Sequence, residues 1–139
     1  MPTESADRLL VIAKALFVGA GASDEEATVI ARHLVDSNLA GHDSHGIIRC
    51  SSYIQRIKDG HIIPGAPIEI EKEMGGTTHI NGNWGFGYMS TELAMDLTIE
   101  KAKKFGVAAT TVYQQSHVGR LTDYPLVAAK QGMICMMTA

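Results

Sequence analysis

With 139 residues, 45% of them hydrophobic and 19% charged, the chain has the composition of a globular protein rather than of a disordered one. A formal net charge of −3 argues against a nucleic-acid-binding surface, and no run reaches the roughly 18 apolar residues of a membrane-spanning helix. The polar, acidic N-terminus is unlike a secretory signal, and Cys50 and Cys135 form no CxxC pair, so we expect a cytoplasmic protein.

The first third of the chain predicts three helices. Apolar residues recur at helical spacing over residues 9–17 and again over residues 27–35, and Ser23 with Glu26 has the form of a capping box. A third helix is predicted over residues 43–60, because the glycine that closes this range suits a left-handed helix end.

The pattern then changes to that of a hairpin followed by a helix. Acidic residues alternate with other residues over positions 68–73, Gly75–Gly76 forms a turn, and residues 77–81 return as a second strand. A long helix follows, with its apolar face over residues 93–105, and is predicted to stop at Gly106.

The segment between the hairpin and this helix, residues 82–87, is rich in glycine. Its order is G-x-x-G-x-G rather than G-x-G-x-x-G, and the downstream residues of a dinucleotide fingerprint are missing. We therefore interpret it as a turn, with Trp84 and Phe86 as hydrophobic plugs.

The last part of the chain predicts an α/β arrangement. A strand is predicted over residues 107–112, a helix between residues 121 and 131, and a buried strand over residues 133–138. Because parallel strands bury both faces, we interpret this alternation as the beginning of a larger sheet. The alternative is a complete small domain whose last strand lies at an edge.

The first candidate site is a polar face on the predicted third helix. If that helix begins at Asp43, three side chains lie one turn apart on the same face, namely His45, Arg49 and Tyr53. A helix N-terminus and a planar guanidinium suit a carboxylate, and a histidine beside them could exchange a proton with a substrate. The alternative is that Asp43 or Ser44 caps the helix and that the other residues belong to an ordinary surface.

The second candidate site is the segment from Ser116 to Arg120, which follows the predicted strand at residues 107–112. Proteins of the α/β class place ligands in loops at the carboxyl ends of strands. His117 is therefore a candidate acid or base. A loop histidine hydrogen-bonded to the backbone would fit the same pattern.

Two other chemistries have little support. His42 and His45 are three residues apart, as in some metal sites, but no cluster of cysteines or carboxylates supplies further ligands. Ser44 precedes a histidine but lacks the G-x-S-x-G context of a nucleophile elbow. We therefore expect neither a metal site nor a serine nucleophile.

Four motifs occur in a fixed order along the whole chain. They are Asp43-Ser44-His45-Gly46 with Arg49 and Tyr53; Asn81-Gly82 with Gly85 and Gly87; Ser116-His117-Val118-Gly119; and Tyr124 through Gly132. Their order and separations resemble the malate/L-lactate dehydrogenase family, which also contains ureidoglycolate and sulfolactate dehydrogenases, diketogulonate reductase and reductases of cyclic imino-carboxylates.

The resemblance implies a nicotinamide-dependent homodimer whose site lies between a helical part and a sheet part. It implies a helical domain over residues 1–65 and, over residues 66–139, the first part of an NAD(P)-binding sheet domain that is not a Rossmann fold. The resemblance also implies a whole protein at least roughly twice as long as this chain.

By position in the family's motifs, Ser44, Arg49 and Tyr53 match the substrate pocket. His45 and His117 match positions to which members of the family differ in assigning the proton donor or acceptor. From this resemblance we expect Arg49 to hold the C1 carboxylate, His117 to move the hydroxyl proton, and His45 to pack against the nicotinamide.

The resemblance also places three residues near the cofactor, namely His45, Gly119 and Arg120. Several positions depart from the family's pattern, among them Thr138-Ala139, which replaces a usual Thr-Asn. Ser116 stands where asparagine is usual, and Gln55 stands where some imino-acid reductases carry a histidine. These departures favour simple 2-hydroxy acids over cyclic imino acids.

The resemblance therefore implies an oxidoreductase that transfers a hydride between NAD or NADP and a small 2-hydroxy or 2-oxo acid, such as malate or lactate. The alternative is a folded fragment or a dimerisation module without catalytic activity of its own. We expect a small-molecule acid as the partner, and neither nucleic acid nor a membrane.

Overall fold

The computed structural model describes residues 4–139, which fold into two compact units. The first unit ends at Gly65 and is helical, whereas the second begins at Ala66 and combines helices with a β-sheet. This order confirms the predicted α/β class, with a helical part followed by a mixed sheet. Within the described range, no helix has both the length and the apolar character needed to cross a membrane.

Three helices and a single 3-10 turn form the described part of the first unit. They are α1 (Ala6–Gly19), α2 (Asp24–Leu39), the 3-10 turn (Asp43–His45) and α3 (Arg49–Lys58). α1 packs along α2, and the fully buried side chains of the core include Phe17, Ile30, Leu34 and Ile62. Burial of such a side chain stabilises the folded state by about 1.5–3 kcal/mol, so these contacts hold the helices together.

The start of α2 confirms the predicted capping box. The Ser23 hydroxyl accepts a hydrogen bond from the Glu26 N–H at 3.1 Å, and the Glu26 carboxylate accepts one from the Ser23 N–H at 2.9 Å. The second carboxylate oxygen of Glu26 accepts the N–H of Gly65 at 2.8 Å. Glu26 therefore also links the end of the first unit to the start of α2.

The third helix begins later than its sequence predicted, at Arg49 rather than at Asp43. Residues Asp43–His45 form only one 3-10 turn, and Gly46 is extended at φ −89° and ψ −155°. The N–H of Ile47 bonds to the side chain of Asn38 instead of entering a helical ladder. The expected single face is therefore wrong, because His45 precedes the helix.

The second unit is built on a three-stranded mixed sheet in the order β1-β2-β3. β1 (Glu69–Met74) pairs antiparallel with β2 (Thr77–Asn81), which confirms the predicted hairpin. β2 pairs parallel with β3 (Ala109–Tyr113), the strand predicted over residues 107–112. A β-bulge between Ile70 and Lys72 shifts the register of the outer strand.

Two helices accompany this sheet. α4 (Gly87–Phe105) packs on β2 and β3 and ends at Gly106, whose φ of +83° is the left-handed geometry expected of a terminal glycine. α5 (Asp123–Ala129) packs on α4 and lies inside the helical range predicted from the sequence. Both predicted helices are therefore confirmed.

The glycine-rich segment forms a turn, as predicted, but only one of its aromatic residues is buried. Gly85 N–H donates to the Gly82 carbonyl at 2.8 Å, and Trp84 N–H donates to the Gln114 carbonyl at 2.6 Å. Phe86 is 3% exposed, whereas Trp84 is 51% exposed. The expectation that Trp84 plugs the core is wrong, because this residue is half exposed. Its backbone is left-handed, at φ +60°.

The strand predicted over residues 133–138 is not formed in the described structure. Met133, Cys135 and Met137 pack against a buried cluster that includes Tyr124, whereas Ile134 is fully exposed. The alternation of a strand is therefore present, but it pairs with none of the described strands. A pattern of period two predicts which side chains are covered, whereas a strand also needs a neighbouring backbone.

Candidate functional site

The first candidate site is the turn between α2 and α3. The N–H of His45 donates to the His42 carbonyl at 2.9 Å, and the N–H of Gly46 donates to the Asp43 carbonyl at 3.0 Å. The turn is also fastened to α2, because the N–H of His42 donates to the Ser37 carbonyl at 2.8 Å. Ser44 and His45 are thus presented on a short, internally bonded loop.

His45 lies in surroundings that favour its uncharged form. Burial lowers the pKa of His45 below its usual 6.5, and nearby His42 and Arg49 lower it further. The His42 and His45 rings meet edge to face with centroids 4.3 Å apart. A neutral imidazole at physiological pH is the form that can accept a proton.

The hydroxyl of Ser44 lies 3.0 Å from Nδ1 of His45. A serine hydroxyl can donate to an unprotonated ring nitrogen or accept from a protonated one. Either neutral tautomer of His45 therefore keeps a hydrogen bond with Ser44.

Arg49 is the first residue of α3 and carries a charge that no described carboxylate balances. Its Nε donates to the Ser44 carbonyl at 2.6 Å, and no ion pair to Arg49 is formed within residues 4–139. The guanidinium has five donors, so further N–H groups remain to bind an anion.

The N-terminus of α3 contributes less to anion binding than the sequence suggested. The backbone N–H of Arg49 donates to the Gly46 carbonyl at 2.9 Å, and that of Cys50 donates to the Ile47 carbonyl at 3.0 Å. The two N–H groups nearest to the start of the helix are therefore already bonded within the chain. The side chain of Arg49 is the stronger anion-binding group.

Tyr53, the third residue assigned to the substrate pocket, lies in the core of the first unit. It is 3% exposed, and its ring centroid lies 6.3 Å from that of Phe17. The structure therefore brings Ser44, His45 and Arg49 together and places Tyr53 among core residues.

The second candidate site, from Ser116 to Arg120, is held mainly by the backbone and the core of the second unit. The Ser116 hydroxyl accepts the N–H of Gly87 at 3.1 Å, and the Val118 carbonyl accepts the hydroxyl of Tyr124 at 2.6 Å. Gly119 has φ +77°, and a Cβ there would lie 2.4 Å from the ring of Tyr88. No residue with a side chain fits this position without a shift.

His117 is fixed by its neighbour in the same turn. Nδ1 of His117 accepts the backbone N–H of Gly119 at 3.1 Å. Because a backbone N–H only donates, Nδ1 must be unprotonated while this bond exists. The neutral ring then carries its proton on Nε2.

Arg120 differs from Arg49 because its charge is balanced. Its guanidinium bonds to the carboxylate of Asp123, and both side chains are largely buried, at 18% and 16% exposure. The Nε of Arg120 is buried without a hydrogen-bond partner in the described structure. The geometry suits an internal ion pair more than a ligand for a cofactor phosphate.

A third polar cluster, not singled out from the sequence, lies across the three strands. The His79 ring stacks on that of Tyr113 at 5.0 Å and bonds to the Thr111 hydroxyl at 2.6 Å. The Tyr113 hydroxyl donates to Glu71 at 2.7 Å, and this bond is the main reason that the pKa of Tyr113 is raised. The contacts are cross-strand pairs, which stabilise a sheet.

Other reactive groups do not form sites of their own. Burial raises the pKa of Cys50 to about 11, so this thiol stays protonated near neutral pH. In the part of the chain that the structure describes, no three histidine, cysteine or acidic residues are grouped to hold a metal ion.

The residues assigned to the cofactor fit it unequally. His45 offers an uncharged ring that suits contact with a nicotinamide, whereas the N–H of Gly119 is bonded to His117 and the charge of Arg120 is balanced by Asp123. We therefore derive no phosphate contact from Gly119 or Arg120.

Comparison with known proteins identifies the family. A family model described as malate/L-lactate dehydrogenase matches residues 5–139. The chain belongs to the malate/L-lactate dehydrogenase family. This finding confirms the resemblance carried by the four motifs.

Among the relatives of this dehydrogenase-family chain is hydroxycarboxylate dehydrogenase B of Escherichia coli K12, which is 36% identical over 121 residues. Malate/(S)-sulfolactate dehydrogenase of Methanothermus fervidus is 38% identical over 133 residues. These alignments cover 87% and 96% of this chain but only 34% and 38% of the relatives. The chain thus spans little more than a third of their length.

Solved structures of the family agree with the fold. The malate dehydrogenase from Entamoeba histolytica has a TM-score of 0.89 at 35% identity, covering 94% of this chain and 37% of that one. The sulfolactate dehydrogenase from Methanocaldococcus jannaschii has a TM-score of 0.88 at 33% identity, covering 91% and 37%. The mixed α/β fold described above is therefore that of the family's dehydrogenases.

Proposed function

We propose that this chain contributes to a reversible oxidoreductase that converts a small 2-hydroxy acid to the 2-oxo acid with NAD or NADP. The observation that carries the proposal is the pairing of an unbalanced guanidinium on Arg49 with a histidine biased towards its neutral form, His45. Family membership supplies the reaction class, because the relatives are named as hydroxycarboxylate, sulfolactate and malate dehydrogenases.

Arg49 binds the C1 carboxylate of the acid. A guanidinium matches a carboxylate through two parallel hydrogen bonds, which a lysine ammonium cannot reproduce. The bond from Nε to the Ser44 carbonyl, at 2.6 Å, fixes the plane of the fork and leaves its remaining donors for the acid.

Oxidation removes a hydride and a proton from the hydroxy acid. A bound nicotinamide would supply the acceptor for the hydride from C2, and the hydroxyl hydrogen leaves as a proton. His45 accepts that proton, because its lowered pKa keeps it neutral and its bond to Ser44 tolerates either tautomer.

His117 donates a hydrogen bond from Nε2 to the substrate oxygen. The hydrogen bond from Gly119 to Nδ1 places the proton of neutral His117 on Nε2. In that state the only free lone pair of the ring lies on Nδ1, where it accepts the Gly119 N–H, so His117 cannot take up a proton without breaking this hydrogen bond. This division of roles reverses the one expected from sequence, in which His117 moved the proton.

The remaining parts of the proposal rest on family membership. The first unit is the helical domain over residues 1–65, and residues 66–139 are the first part of a non-Rossmann NAD(P)-binding sheet domain. The enzyme is a cytoplasmic homodimer.

A substrate panel on the protein expressed from its complete gene tests the function. Malate, lactate and sulfolactate are each supplied with NAD and with NADP, and formation of the reduced nucleotide is followed by absorbance. We expect turnover of at least one of these acids. If neither nucleotide is reduced with any of the three, the proposed reaction is wrong.

The 139-residue chain alone neither binds NAD(P)H tightly nor turns over 2-oxo acids. It spans 34% to 38% of the relatives named above, and Arg120, the cationic residue assigned to the cofactor, is already paired with Asp123. Fluorescence titration with NADH and NADPH measures this directly. Micromolar binding with steady turnover would contradict it and would also exclude the alternative of a dimerisation module without activity.

A further inference from the structure

The side-chain amide of Asn38, on the last turn of α2, bonds to both sides of the turn that carries His45. Its Oδ1 accepts the backbone N–H of Ile47 at 2.8 Å. Its Nδ2 donates to the carboxylate of Asp43 at 2.6 Å. The donor of this amide thus bonds to the residue at the start of the turn, and its acceptor bonds to the residue that follows the turn.

Gly46 lies directly against this amide. A Cβ at Gly46 would lie 2.2 Å from Oδ1 of Asn38 and 2.6 Å from its Nδ2. The φ of Gly46, −89°, is open to any residue, so the backbone itself does not require glycine. A side chain at this position would therefore displace the Asn38 amide, which occupies the space of its Cβ.

The turn that Asn38 holds sets the geometry of two proposed site residues. The carbonyl of Ser44 accepts the Nε of Arg49 at 2.6 Å, and the hydroxyl of the same serine lies 3.0 Å from His45. A displacement of the turn would move both partners of Ser44 together. The direction of the guanidinium and the hydrogen bond of the imidazole therefore depend on where the turn is fixed.

We infer that Asn38 is a positioning residue of the dehydrogenase, which aligns Arg49 and His45 by clamping the turn to α2. The inference rests on the proposed function, since it concerns the same acid-binding site. The clamp requires an amide rather than a carboxylate, because only an amide can accept from Ile47 and donate to Asp43.

The first test exchanges the donor and the acceptor of the clamp in the protein expressed from its complete gene. Asn38→Asp keeps the shape and the acceptor but removes the donor and brings a second negative charge to Asp43. Because the loss of a well-placed charge-assisted hydrogen bond costs about tenfold, we expect kcat/KM for the acid to fall by about that factor. KM for the nucleotide should change little, whereas the thermal midpoint should fall by a few degrees, because the lost hydrogen bond also stabilised the fold.

Adding Asp43→Asn to Asn38→Asp restores one amide and one carboxylate with their roles exchanged. We expect kcat/KM to return to within about threefold of the unmodified enzyme, because the donor and acceptor count is again complete. A residue that only stabilises α2 would show no such recovery in kcat/KM. Failure of the double variant to recover overturns the inference.

The second test uses Gly46→Ala, which displaces the same amide from the other side. Asn38→Ala and Gly46→Ala should each lower kcat/KM, and the combined variant should lose no more than the larger single loss. Gly19→Ala is the matched control, because no atom lies within 4 Å of its added Cβ and its φ is not left-handed. Additive losses would show that the two residues act separately and would overturn the clamp.

The final readout separates this inference from the proposed function. Hydrogen exchange of the Ile47 amide, followed by NMR on isoleucine-labelled protein, should quicken in Asn38→Ala but not in Arg49→Lys. Unchanged exchange in Asn38→Ala overturns the role of Asn38 alone. Faster exchange there, with kcat/KM for the acid unaffected by Arg49→Lys, instead overturns the proposed acid site.

Discussion

The two histidine segments of this chain are held in opposite ways. The turn around His45 has backbone bonds of its own but is also held by side chains, with Asn38 bonded to both its sides and the Ser44 hydroxyl beside the imidazole. The turn around His117 is fixed by the backbone and the core, with the Gly119 N–H bonded to its ring. A hydroxyl allows either tautomer, whereas a backbone N–H allows one.

The cations of the two segments differ in the same sense. Arg49 bonds to a carbonyl and keeps its full charge, whereas Arg120 is balanced by Asp123 inside the second unit. A basic residue beside a histidine therefore does not by itself define an anion site. An arginine is available to bind an anion only if no carboxylate of the same chain already forms an ion pair with it.

The largest expected effect concerns His117. His117→Ala should lower kcat by about 10²- to 10³-fold in the complete enzyme, the range for losing a hydrogen-bond donor to an oxygen on which charge develops. His117→Gln keeps an N–H donor near the position of Nε2 and should retain much more activity if His117 is a hydrogen-bond donor. Equal losses in the two variants would instead favour direct proton exchange by His117.

The next largest effect concerns the stability of the His117 turn. Gly119→Ala adds left-handed strain and a contact 2.4 Å from the Tyr88 ring. We expect it to lower the free energy of unfolding by about 2–4 kcal/mol. Gly132→Ala is the matched control, since Gly132 has the same φ of +77° with no atom within 4 Å. Similar losses in urea denaturation would show that the Tyr88 contact costs nothing.

Breaking the balanced pair should also lower stability. Asp123→Asn leaves the largely buried Arg120 without its counter-charge, at a cost of about 1–3 kcal/mol after allowing for partial exposure. Arg49→Met should lower the free energy of unfolding by about 1 kcal/mol or less, because Arg49 has no described ionic partner and loses only an exposed hydrogen bond to the Ser44 carbonyl. Equal midpoints in urea for the two variants would remove the contrast between the arginines.

Arg49→Lys is expected to affect catalysis without affecting folding. Lysine keeps the charge but not the two-pronged geometry, so kcat/KM for the acid should fall by about tenfold. Nucleotide affinity and the thermal midpoint should stay nearly constant. An unchanged kcat/KM would remove Arg49 from the site, and a lowered midpoint would mark it as structural.

The smallest expected effect is the pH dependence of His45. NMR titration should give a pKa below 6.5, and Arg49→Gln should raise it only in part, because burial is the largest cause of the shift. Between the lowered pKa and pH 6.5, His45 binds fewer protons in the folded chain than in the unfolded one. The contribution of neutral His45 to the free energy of unfolding is therefore fully present above pH 6.5 and is lost as the pH falls through the lowered pKa. A full return in Arg49→Gln would assign the shift to charge alone.

Features written in neighbouring residues were determined by the sequence itself. The capping box at Ser23 and Glu26, the hairpin around Gly75–Gly76 and the end of α4 at Gly106 all occur where their patterns predicted them. The motifs around His45 and His117 also sufficed to identify the family. Such features depend on spacing and local backbone geometry, which a sequence displays directly.

The tertiary structure decided which side chains are buried in the core and which charges are already paired within the chain. It placed the start of α3 at Arg49, turned Tyr53 into the core and paired Arg120 with Asp123. It also revealed Asn38, which no sequence pattern had marked, as the partner of the turn. Helical spacing shows which faces a residue can share, but whether its charge or hydrogen-bonding group is free depends on residues from other turns and elements that fold against it.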